Sequence, residues 1–587
     1  MASGPPVPPD VEEIKTAVNT ALGRQPGTVL FTNARIVNVI TGNIQDGPVL
    51  LAGRLIAGLG DAVRGATARE VVDLGGRWLA PGLIDGHVHL ESSLITPGEY
   101  ARAVVPRGVT GVVCDPHEIG NVSGVDGIRW FLRASDRLPL DVWIGVPSCV
   151  PSSPLETSGA RLGLAEIASF LDEPRVVGVA EIMDFPGVLA AREEVLRKAL
   201  LAETSRKVAC GHAPLVRGQA LHAYLAAGIR SDHETTEVEE GLEKLRAGCF
   251  LMIREGSISR NLSALATLVV SRHMDRIGFV TDDRLPNDLL EEGGVDVLVR
   301  RAIRQNVDPV LALRCATWNT ARHFALSRRG AIAPGYLADL VVLDDLQEFR
   351  AGAVYKDGRL VADGGRLRAD LPLPAAAGDA VRNTVHLPRL SAASFRLPAG
   401  PGQVRCVKLV PSQLLTELVW ITPRTVGSEI VADPNRDIAK LACVERHGRR
   451  GTVGVGLVTG FGLRNGALAS TVAHDHHNLM AVGATDDDIL VASRRLAEMG
   501  GGFVVAAGGQ VLADLPLPIA GLMSDLRLAE VRARLDRLDE AARSLGVRIP
   551  SPFMILSFLG LAVIPELRLT DLGLVDVMAG RLVPLGA

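Results

Sequence analysis

Three observations predict an α/β protein with a closed barrel at its centre. Short buried runs alternate with amphipathic stretches from about residue 78 to 326, hairpin-like β texture flanks that zone on both sides, and a further mixed segment covers 386–587. The expected architecture is a TIM-like (β/α)8 barrel over 81–326 and a small composite β-domain from 28–80 plus 327–363. A linker over 364–385 and an additional C-terminal α/β domain over 386–587 would follow, and residues 1–27 read as an N-terminal extension with a helix. At roughly 100–200 residues per domain, 587 residues suit this division.

Taken in order, the chain opens Pro-rich, and Val11 to Leu22 reads as a short helix. The runs Thr28 to Ile36, Pro48 to Gly53, Leu55 to Leu59 and Glu70 to Leu74 are strand-length, β-branched and separated by Gly or Asn-Gly turns. Next come continuous apolar runs: Leu79 to Ile84, Thr110 to Cys114, Val142 to Val146, Val176 to Val179, Lys207 to Cys210 and Ile277 to Val280. Amphipathic helices are expected between them, most clearly at Glu193 to Ser205, Glu237 to Ala247 and Gly294 to Gln305. Apolar strands alternating with helices mean parallel β/α units covered on both faces, and eight such units need roughly 250 residues. Gly330 to Leu343 and Val354 to Ala362 return to hairpin texture and are expected to pair with the first β-segment.

Composition excludes several classes. Lys+Arg 62 against Asp+Glu 66 gives a net charge of -4, too little basic excess for a nucleic-acid binder. Seven scattered cysteines without a C-x-x-C pair argue against a disulfide framework, a zinc ribbon or the H-x-E/P-C-x-x-C deaminase fold. The longest apolar run, Phe553 to Ile564, is shorter than the ~20 residues of a spanning helix. The first residues have neither a basic nor an apolar leader region. A cytoplasmic, membrane-free protein is expected. Gly451 to Gly460 lacks both the dinucleotide spacing and the Walker Lys-Ser/Thr, so a strand-turn is expected there.

Chemistry concentrates at strand ends. In Ala80 to His89 a buried run leads into His87 and His89, which at i and i+2 point to one side. At the C-terminal end of a first barrel strand they would stand in the mouth where such folds work, and neutral imidazole is the commonest metal ligand. Glu181, His212, His233 and Asp282 each follow a β-run in the same way, spaced as one, one and two β/α units would space them.

These residues, with the return segment Ala333 to Leu340, resemble the amidohydrolase superfamily. The match narrows at Cys114 to Ile119, Ala180 to Asp184, Met252 to Ser257, Thr281 to Arg284, Ser470 to Asn478 and Leu515 to Ser524, which look like bacterial adenine deaminases. The resemblance runs from about residue 28 to beyond 560. It implies two divalent cations, manganese first and iron or zinc as alternatives. His87, His89 and Asp282 would hold one, His212 and His233 the other, and Glu181 would bridge them where many relatives use a carboxylated lysine. It implies hydrolysis of adenine to hypoxanthine and ammonia by water activated between the cations, in purine salvage. Asp282 would carry the proton from water to the leaving amine. A homodimer or larger assembly is expected, with a small purine as the only other partner.

Other positions stay open. Glu234, next to His233, is one candidate to protonate the purine ring, and Glu255 and Glu118 are others. Arg254 and Glu255 read equally as a purine contact or as a structural ion pair. His117, Glu118 and His477 are expected near the substrate, while the cluster His474 to His477 reads as a mouth contact, an extra metal site or a polar turn. The rival functions are hydrolysis of an N6-substituted adenine or a cyclic amide on the same site, or a barrel that serves only as a scaffold.

Overall fold

The computed structural model describes residues 8–273, 275–368, 381–411 and 413–586. Most of the linker expected over 364–385, and the first seven residues, lie outside them. The first helix, Val11–Ala21, starts on a capping box in which Asp10 accepts from the Glu13 N–H and Glu13 accepts from the Asp10 N–H. Arg54 grips the Glu13 carboxylate at 2.7 and 2.9 Å and ties this helix to the β-sheet behind it.

That sheet has nine strands drawn from both flanks of the barrel. Its seam is Trp78–Pro81, which lies parallel to Gly27–Asn38 on one side and antiparallel to Leu340–Asp345 on the other. One expectation is corrected here. Leu79 to Ile84 is not a single barrel strand, because the chain leaves the small sheet at Pro81 and begins the barrel at Leu83. Gly82 is the crossing point, its N–H donating to the Asp339 carbonyl while the next N–H donates to Gly108. A Cβ at Gly82 would stand 2.2 Å from Thr110 Oγ1, so only glycine fits.

The barrel strands are β1 (Leu83–His89), β2 (Val109–Cys114), β3 (Asp141–Val146), β4 (Val176–Ile182), β5 (Val208–Gly211), β6 (Ser231–Asp232), β7 (Phe250–Arg254) and β8 (Ile277–Val280). Every residue of β1 to β4 is buried, as strands covered on both faces require. Strands β1 to β5 pair in sequence, and so do β6 to β8, all in parallel. The Arg230 N–H donates to the Ala209 carbonyl between β5 and β6. A two-residue strand after β8, Asp282–Asp283, pairs with Val88 and His89 of β1 and closes the ring. Ile84, Val113, Trp143, Val177, Cys210, Phe250 and Val280 come from seven strands and meet in one apolar cluster with Phe324 and Leu326. Such a cluster is possible only inside the ring, so the barrel is a filled core.

Beyond the linker, an eight-stranded, mostly antiparallel sheet carries helix Asp486–Glu498 on one face and Leu528–Ser544 on the other. Alternation along Ile438–Val444 sets the faces: Ala442 and Val444 pack with the first helix, and Leu441 and Cys443 join the cluster of the second. The Gly-rich run is strand Val453–Thr459, and a Cβ at Gly454 would meet the Thr570 carbonyl at 2.0 Å. All seven cysteines are free thiols. No helix among the described residues is long and apolar enough to cross a membrane.

Candidate active site

The six expected ligands converge at the C-terminal ends of the barrel strands. His87 and His89 end β1, Glu181 is the next-to-last residue of β4, His212 and His233 follow β5 and β6, and Asp282 follows β8. Five of the six are buried, and His212 is partly exposed. Asp282 holds φ at +60°, a left-handed conformation uncommon for a residue with a side chain and typical of positions constrained by function.

The two oxygens of Glu181 face different imidazole pairs. Oε1 lies 3.0 Å from His87 Nε2 and 2.8 Å from His89 Nε2, while Oε2 lies 2.8 Å from His212 Nδ1 and 3.6 Å from His233 Nε2. Asp282 divides its oxygens similarly. Oδ1 faces His89 Nε2 at 3.1 Å and His87 Nε2 at 3.5 Å, and Oδ2 accepts from Arg254 Nη1 at 2.6 Å. The rings are oriented from behind: His89 Nδ1 sits 3.0 Å from the Asp115 carbonyl, which leaves Nε2 facing the site. Tyr224 donates to the Ile182 carbonyl and accepts the His212 N–H, fixing β4 against β5. Asp85 accepts from Thr281 Oγ1 at 2.5 Å and from the His87 N–H at 3.3 Å, tying β8 to β1 under the ligands.

Electrostatics follow from this packing. Burial alone would raise the carboxyls of Glu181 and Asp282. The surrounding imidazoles, and Arg254 for Asp282, overcome it and hold both well below the usual carboxylate range. Burial opposes protonation of His87, but Asp282 and Glu181 outweigh it and push the ring up to about 9; His212 is likewise pushed up to about 9, by Glu234 and Glu181. His233 goes the other way, to about 4, because burial is reinforced by the neighbouring His87.

The donor set fits divalent cations. Neighbouring nitrogens and oxygens lie 2.8–3.6 Å apart, with His87 Nε2 and His89 Nε2 facing each other at 3.1 Å. Such spacings arise when ligands share an ion at about 2.0–2.2 Å. Glu181 Oε1 is buried without a hydrogen-bond partner. The donors form two overlapping groups, His87, His89, Glu181 and Asp282, and Glu181, His212 and His233.

The remaining expected residues divide. Arg254 reaches the site, pairing with Asp282 and with both oxygens of Glu234. Glu234 Oε1 lies 3.5 Å from His233 Nε2 and 3.7 Å from His212 Nδ1. His117 stands beside His89, ring centroids 4.4 Å apart, and contacts Glu118, whose other oxygen meets His477. Glu255 is not brought to the ligands: its oxygens are taken by Arg301 and the Leu262 N–H. His474 and Asp475, from the cluster left open as a mouth contact, an extra metal site or a polar turn, are buried in the polar cluster, and so is Asp115, which the sequence reading did not single out. Asp115 follows β2 as Glu181 closes β4, and that position was the signal available for it.

A ring of eight parallel strands with imidazoles and carboxylates at their C-terminal ends is the arrangement of amidohydrolases, and the model of the amidohydrolase family matches residues 78–386. The adenine deaminase C-terminal domain model matches residues 413–581. Along its length the chain is 47% identical over 577 residues to adenine deaminase 2 of Carboxydothermus hydrogenoformans, covering 98% of this chain and 100% of that one. It is also 47% identical over 561 residues to the adenine deaminase of Desulfatibacillum aliphaticivorans, covering 95% and 97%. The chain belongs to the adenine deaminase family. A solved β-aspartyl dipeptidase from Fervidobacterium islandicum AW-1 is 18% identical, with a TM-score of 0.45, and covers 58% of this chain and 99% of its own.

Proposed function

We propose that the chain hydrolyses adenine to hypoxanthine and ammonia at this site. Family membership supports the substrate, and the division of Glu181 between two imidazole pairs supports a binuclear centre. His87, His89 and Asp282 would hold one divalent cation, His212 and His233 the other, with Glu181 bridging. When bound, the pair would supply a water acidic enough to be nucleophilic at neutral pH.

The chain's own groups direct the rest. Asp282, kept anionic and fixed by Arg254, accepts a proton from the attacking water and returns it to the departing amine at C6. Glu234 borders His212 and His233 and is the carboxylate placed to serve the ring nitrogen beside C6. Glu118 instead faces His474 and His477, and Glu255 faces Arg301. A small cavity of about 60 Å³, lined by Ser92, Leu285, Val472 and His474 among others, lies between barrel and C-terminal domain. Manganese as the native ion, with iron or zinc as alternatives, belongs to the same proposal. So do cytoplasmic purine salvage and a homodimer or larger assembly; these rest on the resemblance alone.

The test is ammonia release from adenine by protein supplied with manganese, followed in parallel as hypoxanthine. Turnover lost in Asp282→Asn and Glu181→Gln, with metal kept in the former, is expected. Two bound ions without turnover on adenine would move the assignment to an N6-substituted adenine or a cyclic amide. Neither metal nor turnover would leave a scaffold.

A further inference from the structure

A second group of ligand-type side chains lies next to the candidate centre and uses none of its six residues. His117 and Glu118, at the start of helix His117–Ala134 after β2, meet His474 and Asp475, which stand in the connection between strands Ala467–Ser470 and Leu479–Gly483 of the C-terminal sheet. All four are buried. His117 Nε2 is 3.4 Å from Glu118 Oε1 and 3.3 Å from Asp475 Oδ1, and His474 Nδ1 is 2.6 Å from Glu118 Oε1 and 3.8 Å from Asp475 Oδ1. Four ligands placed tetrahedrally around an ion at 2.0–2.1 Å are about 3.3 Å apart. Two of these edges fall on that value, one is longer and one shorter.

The groups are also oriented from behind, as metal ligands usually are. His117 Nδ1 lies 3.2 Å from Asp115 Oδ2, which directs Nε2 into the cluster. His477 Nδ1 accepts the Ala473 N–H, so its Nε2 carries the proton and donates to Glu118 Oε2, leaving Oε1 turned inward. Yet His117 Nε2, Glu118 Oε1 and Asp475 Oδ2 are buried without hydrogen-bond partners. The ligand atoms of the four residues lie within 4.8 Å of one another, too close for a purine ring to sit between them and close enough for one ion to reach them all.

We propose that His117, Glu118, His474 and Asp475 bind a third divalent cation that joins the barrel to the C-terminal domain. Two imidazoles and two carboxylates in a four-coordinate arrangement suit zinc or a similar borderline ion, not magnesium or calcium. The ion would sit apart from the candidate pair, with Asp115 and His117 as the polar boundary between them.

The probe is Co2+ alone, added stepwise to full-length protein stripped by a chelator. Bound metal is counted after gel filtration, and the visible spectrum is followed. Wild type is expected to take three equivalents, with a tetrahedral cobalt band assigned to the site missing from the variants. His474→Gln and Asp475→Asn are each expected to hold two. Saturation of wild type at two, or three equivalents kept by a variant with wild-type elution and circular dichroism, would overturn the proposal. Anomalous diffraction at the cobalt edge from wild-type crystals decides without any variant: a peak among the four side chains supports the third site, and two peaks only at the six-ligand centre refute it.

Discussion

Replacing Arg254 with Gln tests whether this residue acts on Asp282 or on the substrate. Its guanidinium donates to Asp282 Oδ2 at 2.6 Å and to both oxygens of Glu234, one at 3.0 Å. All three side chains are largely buried. Losing the hydrogen bond to a charged partner is worth about 1.5–3 kcal/mol, and stranding the two carboxylates extends the effect towards the ~3–5 kcal/mol of a broken buried ion pair. Part of this appears as lost stability. The catalytic part is the freedom it gives Asp282: Oδ1 stays among the imidazoles, but Oδ2 is released. A reacting group misplaced by about 1 Å costs about 100-fold, or ~2.7 kcal/mol of barrier. We expect kcat to fall by about 100-fold with KM little changed and two metals still bound. Arg254→Lys should recover only part of the loss, since an ammonium cannot span both carboxylates. The pH profile supplies a second reading. In the role proposed for it, Asp282 must be ionised to accept a proton, and Arg254 helps to depress its pKa. Removing the cation raises that pKa, so the acid limb of kcat/KM should move to higher pH. Steady-state kinetics across pH, with metal analysis, decide the matter. A raised KM with unchanged kcat would refute the reasoning and place Arg254 against the purine.

Three further outcomes follow from the geometry. Without metal, His87 and His212 titrate near 9, yet they ligate only as neutral rings; metal uptake at pH 7.5 should therefore release protons, and affinity should fall as pH drops. Calorimetry in buffers of different ionisation enthalpy measures this, and uptake independent of buffer would contradict it. Lys356 reaches Asp141 of the barrel at 3.0 Å and Asp339 at 2.9 Å within a buried network shared with Arg329. Lys356→Met should destabilise by about 3–5 kcal/mol in denaturant unfolding, and an unchanged midpoint would count against it. Gly82→Ala forces a methyl against Thr110 and should cost about 1–3 kcal/mol, read as a lower melting temperature that Gly82→Ala with Thr110→Ala partly restores.

The placement of the candidate ligands was legible because one rule, a polar residue at the end of a buried run, places side chains in the mouth whatever lies between the strands. His87, His89, Glu181, His212, His233 and Asp282 all obey it. The break at Gly82 was not legible, since Leu79 to Ile84 is apolar on both sides of it and only the hydrogen bonds to Asp339 and Gly108 reveal two sheets. Nor could sequence separate Arg254 from Glu255. They are adjacent on β7 and its exit, but alternation along a strand sends one towards Asp282 and the other towards Arg301 on a neighbouring helix. Their partners are distant in the chain, and no local pattern encodes them.

The cluster at 474–477 shows a different limit, and with it a reason for the C-terminal domain. Within the barrel, Glu118 Oε1 has His117 Nε2 beside it at 3.4 Å. The closed protein surrounds that carboxylate with His474 on Oε1 and His477 on Oε2. Arg446 holds the loop from behind, donating to the His477 carbonyl, and the Asn478 side chain donates to the Thr157 carbonyl on the barrel side. The Ser524 N–H donates to the Leu94 carbonyl a few residues beyond the β1 ligands. A buried carboxylate without the His477 donor would be costly, so the barrel mouth is complete only when the second domain is docked. The C-terminal sheet then acts as the far wall of the site, which explains why the motifs that distinguish this family extend well past the barrel that carries the candidate ligands.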